Sequence, residues 1–300
     1  IPGHSSGGRA SCESCHGLKP HDGISVGAMK LNDHVNKVAC QSCHIPEFAR
    51  GGVPTKTLWD WSQATLKLKR DENGELILDE QGRPMPVVEY DEQGHPSYMS
   101  QKGYFEHGEN VVPEYHWFDG QVEYTLMNDE IDPNETVSVN RISGSRDDPD
   151  SRLWPFKRMV GKQPYDKQSN RLLATHVYGP ETKTALWSNF NWLRALEVGQ
   201  AEAVAAGDAE LQFSGEFGFV DNEMYWPITH MVAPKEKALR CAACHTQEGR
   251  LEKVEGIYLP GRDGDGWVNI LGLLLVGGTL FGVLGHGLLR IITGNRRKAS

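Results

Sequence analysis

The 300-residue chain carries 31 Lys and Arg against 40 Asp and Glu, a formal charge of −9. That acidity leaves no basic stripe to neutralise phosphates and argues against a nucleic-acid partner. Only 38% of the residues are hydrophobic, and much of that share lies in one run near the C-terminus. The remainder is too polar to offset its ordering entropy with a protein-only core, so something else must fill the interior.

The sequence opens on Ile1 with no signal peptide in view, which reads as a processed or truncated product. The first fifty residues hold two copies of one pattern, Cys12-Glu-Ser-Cys15-His16 and Cys40-Gln-Ser-Cys43-His44. A third copy, Cys241-Ala-Ala-Cys244-His245, lies far downstream and accounts for the last two of the six cysteines. This is the attachment pattern of c-type haem. Two thiols at that spacing can each add to a vinyl group on one porphyrin edge, and the following His then faces the iron. Structural zinc sites, thioredoxin-like redox pairs and disulfides use paired cysteines too, but none explains a His after every second Cys. Three covalent haems c are therefore expected, with His16, His44 and His245 as proximal ligands. Such attachment places the domain outside the cytoplasm, in a periplasm.

Nine further histidines remain: His4, His21, His34, His95, His107, His116, His176, His230 and His286. A second His on the iron is the usual choice in low-potential multihaem cytochromes, and Met in that place raises the potential. His34 precedes Cys40 and His230 precedes Cys241 by short segments able to fold back over a haem face. His21 follows Pro20, and His176 precedes the turn sequence Val177-Tyr178-Gly179-Pro180. These four are the expected distal ligands. His95, His107 and His116 sit in a loop-rich acidic stretch and read as surface residues, and His4 is undecided. More ligands than haems suggests that further haems, from an upstream portion or a partner subunit, sit nearby.

Between the second and third motifs, Asn73-Gly74, Gln81-Gly82 and Gln93-Gly94 separate short apolar pieces such as Leu76-Ile77-Leu78 and Val87-Val88, the pattern of small hairpins. Residues 128–170, rich in Asp, Asn, Ser, Pro and Arg, read as irregular surface chain. A helix is predicted from an N-cap at Thr182 to about Ala206, ended by Gly207-Asp208. Trp187 and Trp192 suit either a porphyrin face or an ordinary core. The expected fold is mostly irregular chain with a few α-helices and small β-hairpins packed around haems, plus one C-terminal transmembrane helix. No phosphate loop, Ser/His/Asp set or carboxylate pair stands out.

From Gly266 to Leu289 only His286 is ionisable. As a helix this run reaches about 36 Å, enough to cross a hydrocarbon core of about 30 Å. Trp267 marks one interface, and Arg290, Arg296, Arg297 and Lys298 mark the other, which the positive-inside rule places in the cytoplasm. The predicted divisions are a periplasmic haem domain over 1–265, an inner-membrane span over 266–292 and a short basic tail over 293–300. Gly278 and Gly282, with Gly277, Gly285 and Gly287, invite close approach of a partner helix. His286 inside the span is a functional candidate by default.

Several longer words carry a family resemblance. They are His34-Val-Asn-Lys-Val-Ala-Cys40-Gln-Ser-Cys43-His44-Ile-Pro, Pro54-Thr-Lys with Trp59-Asp-Trp61, and Pro113-Glu-Tyr115 with Trp117-Phe-Asp-Gly120. Pro155-Phe-Lys157 and Tyr225-Trp-Pro-Ile-Thr-His230-Met-Val-Ala-Pro-Lys235 complete the set. Over roughly residues 11 to 255 the chain resembles the octahaem tetrathionate reductase family of multihaem cytochromes. The resemblance implies bis-His electron-transfer haems and supports His34 and His230 as ligands. The three motifs look like that family's C-terminal set. Its active-site haem, with a Lys ligand, belongs to the N-terminal portion, and no residue here matches that Lys. The membrane helix is an addition to the pattern. The function expected first is an electron conduit between a quinone-reactive or cytochrome b-type membrane subunit and periplasmic redox proteins. A reductase of tetrathionate, nitrite or hydroxylamine is the alternative, with Lys235 and Lys237 as distant candidates for an iron ligand. A subunit whose haems mainly brace an assembly is the third reading.

Overall fold

A computed structural model describes residues 11–80, 82, 84–179 and 183–298, the backbone alone for 294–298. His4, Gln81 and the predicted cap Thr182 lie outside the described residues. The chain forms two compact units, Ile1–Leu239 and Arg240–Ser300. In order, the first unit contains helices α1 (Glu13–His16), α2 (Val26–His34) and α3 (Cys40–His44), then strands β1 (Thr55–Asp60), β2 (Val88–Tyr90), β3 (Pro96–Met99) and β4 (Gly103–Gly108). β5 (Glu114–Phe118), β6 (Val122–Tyr124), β7 (Val137–Ser138), β8 (Asn140–Ile142), β9 (Arg152–Asp166) and β10 (Arg171–Leu172) follow. α4 (Leu186–Asn189), α5 (Trp192–Ala206) and β11 (Phe217–Pro227) complete it, and α6 (Gly266–Lys298) belongs to the second unit.

Most strands join one mixed sheet in the order β2-β3-β4-β1-β9-β11-β7, with β5 and β10 also paired to β9. β9 is its spine. It runs antiparallel to β11 from Phe217↔Asp166 to Pro227↔Phe156, parallel to β1 and antiparallel to β5. Its first half supplies the fully buried Leu153, Trp154, Pro155 and Phe156. Phe118 meets Trp154 and Phe156 edge-on, at 5.9 and 5.2 Å between ring centroids.

This corrects the reading of 128–170 as irregular surface chain. A strand covered on both faces shows a continuous apolar run instead of alternation, and Leu153-Trp-Pro-Phe156 is too short a run to stand out between charged neighbours. The sheet likewise makes the first unit more regular than the expected collection of small hairpins. Hairpins are present where expected: Asp71 Oδ1 accepts from the N–H groups of Asn73 and Glu75, and Asp91 Oδ1 from those of Gln93 and His95. Gly74 and Gly94 then take the positive φ that closes each turn.

The predicted single helix is two. Phe190 adopts a left-handed conformation (φ 57°) that ends α4. Asn191 caps α5, its side chain accepting from Arg194 N at 3.0 Å, and Gly207 (φ 85°) stops it. Ala195, Leu196, Gly199, Gln200 and Ala203 form the buried stripe of α5.

The chain exposes 19347 Å², against about 12,600 Å² for a compact protein of its mass. Part of the excess is α6, whose stretch Gly266–Thr293 is long and apolar enough to cross a membrane and exposed throughout. Part lies beside the first motifs, where Leu18, Ile24, Val26 and Met29 stand open to solvent. That is the surface of a chain short of apolar partners, as its composition implies.

Candidate haem-binding sites

The first two motifs converge. α1 and α3 are single helical turns, and on a helix positions i and i+3 share a face, so each turn presents its two thiols side by side. α3 is seated on the start of β9, where Leu153 O accepts from Ala39 N at 3.0 Å and from Ser42 Oγ at 2.7 Å. α1 is tied to the same place by an ion pair of 2.6 Å between Glu13 and Arg152, whose side chains are only 11% and 18% exposed. The Cys12 and Cys40 thiols lie within hydrogen-bonding reach of each other. Donation from Cys40 lowers the Cys12 pKa to about 7, and the same contact, aided by burial, pushes Cys40 up.

Three imidazoles gather beside these thiols. His21 and His44 lie with ring planes 15° apart and centroids 6.3 Å apart. Burial lowers the His44 pKa first, and the charges of His21 and His16 lower it further.

Three of the four candidate distal histidines have Nδ1 engaged. A ligating imidazole normally donates its other ring N–H to a carbonyl or carboxylate, which fixes the tautomer. His21 Nδ1 lies 3.2 Å from Asn32 Oδ1, while Asn32 also bonds the His21 backbone at N (3.1 Å) and O (2.9 Å). His34 Nδ1 is 2.6 Å from Lys30 O, one helical turn back. His176 Nδ1 is 3.0 Å from Glu202 Oε2 on α5. Each acceptor, a carbonyl or carboxylate oxygen, favours the tautomer with the proton on Nδ1. His95 is the opposite case, with Asp91 at 3.4 Å from Nδ1 and Glu109 at 3.2 Å from Nε2. Both nitrogens are taken, so it is a half-buried ion-pair residue rather than the surface residue expected. His107 is likewise partly covered within β4, and His116 faces Glu114 at 3.6 Å.

His230 is exposed just after β11. The segment that follows it lies along α3, with Ala233 N bonded to His44 O (2.7 Å) and Leu239 N to Cys43 O (2.9 Å). The third motif is built in the second unit. Its two cysteines and His245 lie on one tight turn, with the Cys244 and His245 N–H groups both returning to Cys241 O. Burial raises the Cys244 pKa. His245 Nδ1 is 3.2 Å from Pro260 O, which fixes the ring against the loop that follows the motif. Gly261 (φ 93°) passes so close to the His245 carbonyl that a Cβ would collide with it. Arg262 binds Leu251 O (2.8 Å), Val254 O (2.6 Å) and Ile257 O (2.8 Å), closing the loop around the motif.

None of the six cysteines is in a disulfide. Thiols on tight turns, imidazoles with Nδ1 engaged, and apolar side chains open beside α2 together form a donor set and wall suited to haem c. The Nδ1 acceptors Asn32 and Glu202 escaped sequence reasoning. Neither stands at a spacing that marks it, whereas Lys30 to His34 is one helical turn.

The sequence profile of the bacterial cytochrome c family matches residues 56–248, more than half of the chain. The chain belongs to that family and is a multihaem c-type cytochrome, with haem bound covalently. Among solved structures it is similar to the octahaem cytochrome c of Shewanella oneidensis, at 35% identity and a TM-score of 0.64. That match covers 82% of this chain and 51% of the other, so the chain spans about half the length of its octahaem relative. No curated protein matches the chain.

Proposed function

We propose that this protein is a three-haem electron conduit anchored in a bacterial inner membrane by α6, with its haem domain in the periplasm. Bound haem c supplies one-electron chemistry at its iron. Cys12 with Cys15, Cys40 with Cys43, and Cys241 with Cys244 hold the groups, and His16, His44 and His245 are the proximal ligands. His21, whose ring lies near that of His44, and His34 and His230 are distal ligands. The observation that carries this reading is the convergence of Cys12 with Cys40 and of His21 with His44. It brings two porphyrin edges together, as fast transfer between haems requires. Exposed Leu18, Ile24, Val26 and Met29 supply an apolar wall that keeps water from those edges.

The membrane side rests on α6. Its basic end (Arg290, Arg296, Arg297, Lys298) faces the cytoplasm, and Gly278 and Gly282 dock against a quinone-reactive or cytochrome b-type subunit. Electrons pass between that partner and periplasmic redox proteins. The test is the protein matured with covalent haem. Three haems by intact mass, all low-spin with paired imidazoles, and oxidation or reduction by quinol in the membrane complex are the expected results. Failure of the haems to exchange electrons with quinol defeats the conduit.

A reductase of tetrathionate, nitrite or hydroxylamine, as in the family the sequence resembles, is the second reading. Lys235 and Lys237 favour it to a degree, because they lie on the segment bonded to His44 and Cys43 at its two ends. A high-spin or Lys-bound iron in the same spectra would select the reductase.

A further inference from the structure

Cations in the first unit are unevenly matched with carboxylates. Lys67, Arg152, Arg158 and Lys162 each meet an Asp or Glu within 3.4 Å. Lys56, Lys102 and Lys157 are half-buried and meet none among the described residues.

The sheet gathers these three lysines. In the pairing of β1 with β4, Lys56 lies opposite His107 and Trp59 opposite Phe105. Lys56 Nζ stands 4.0 Å above the Trp59 ring and 4.3 Å above the Phe105 ring, so all four residues share one face. Trp59 also lies opposite Gly161 of β9, and alternation along β9 puts Met159 and Lys157 on that same face. Lys102 joins from the turn before β4, its carbonyl accepting from Trp59 Nε1 at 2.7 Å.

Their donors are largely unmet. Lys157 Nζ donates to Thr55 Oγ1 at 2.6 Å. That leaves two ammonium N–H groups and the Thr55 hydroxyl hydrogen without an acceptor among the described residues. Burial holds the Lys56 ammonium below its usual pKa, and the charge of Lys102 adds to the effect. Lys157 is lowered in the same way, by burial and then by Lys56. His107 is lowered by burial and then by Lys56, and its Nδ1 is buried with no hydrogen-bond partner among the described residues. Asp91, whose charge opposes this at His107, is itself paired with His95. Like charges drawn together with open donors are left under-satisfied unless an anion joins them.

We propose that this face of the first unit is an anion site, in which Lys56, Lys157 and Thr55 bind an oxyanion and Lys102 and His107 add to the field. Donors on two adjacent strands suit a compact group with two or more oxygens. The carboxylate of a haem propionate and a free inorganic oxyanion share that chemistry. The first source rests on the haem reading above, and the second does not.

The experiment uses the protein with its haems attached. Haem content by intact mass is a separate readout, and were no haem attached the sulfate titration alone would decide the site. Sulfate is titrated by calorimetry, while midpoint potentials and propionate carboxylate bands are followed by redox infrared difference spectroscopy. If the ligand is a free oxyanion, one sulfate binds, and Lys56→Gln or Lys157→Gln weakens it by about tenfold. Lys67→Gln, which removes a lysine already paired with Glu89, should leave sulfate binding unchanged. If the ligand is a propionate, sulfate does not bind. Either site variant then lowers one haem's potential, since a lost cation disfavours Fe(II), and shifts that haem's carboxylate bands. Lys56→Arg keeps the charge and should retain whichever signature the parent shows. If Lys56→Gln fails to accumulate, Lys157→Gln decides. Sulfate binding undiminished in the site variants would overturn the proposal. So would absent sulfate binding together with unchanged potentials and carboxylate bands in haem-loaded Lys157→Gln.

Discussion

The first two motifs and the third are held by opposite strategies. Cys12, Cys40, His21 and His44 are brought together by chain from across the first unit: Arg152 and Leu153 of β9, Tyr115 of β5 and Asn32 of α2. His245 is held by the loop that follows it, through Pro260, Gly261 and Arg262. The difference concerns cooperativity. A site assembled from distant segments shares the stability of the whole unit, whereas a site wrapped by its own loop opens and closes locally.

The sharpest way to break this comparison is in the core under β9. Phe156 is fully buried against Phe118, and its replacement by Ala should cost about 3–5 kcal/mol. Denaturant unfolding should show haem signals from the first two motifs shifting together, with the third unmoved. Movement of all three would erase the distinction. Next in size is Arg152→Ala, which leaves the nearly buried Glu13 carboxylate without its partner, at a cost of about 3 kcal/mol. Its effect should appear as broadening of the low-spin signals of the first haem pair.

Asp166, at the far end of β9, gives a smaller and pH-dependent effect. Burial raises its pKa, but N–H donors from Ser214, Ser169 and Gln168 outweigh burial and hold it below the usual carboxylate value. Because the folded pKa is the lower one, this stabilisation is present above the unfolded value, about 3.9, and is lost as pH falls through the folded pKa. Asp166→Asn should cost about 1–3 kcal/mol at neutral pH and flatten the acid limb below about pH 4 in equilibrium unfolding. An acid limb as steep as in the parent chain would rule out this role. The most local effect belongs to Arg262→Ala. It should open the 246–263 loop to proteolysis and disturb the third haem while leaving the unfolding midpoint of the first unit unchanged.

Much of the site was legible because haem attachment demands covalent spacing that shows in a linear sequence: the three Cys-X-X-Cys-His words need no tertiary information. The Asp-X-X-Gly turns at 71–74 and 91–94 and the apolar run that becomes α6 are local in the same way. β9 was missed because Leu153–Phe156, its start, is buried on both faces, which removes the alternation that marks a strand. The break at Phe190 was missed because a non-glycine residue in the left-handed region has no compositional signal. His95 was misplaced because its two carboxylates come from different turns of the sheet edge.

By itself, the sequence determined the cofactor class and the apolar C-terminal helix, since both depend on residues close together along the chain. The convergence of Cys12 with Cys40, the parallel seating of His21 and His44, and the pairing of His176 with Glu202 were decided by tertiary structure alone. The physical reason is that an imidazole's availability to a metal depends on what holds its other nitrogen. For His21 and His176 that partner, Asn32 or Glu202, is delivered by the fold from a separate segment.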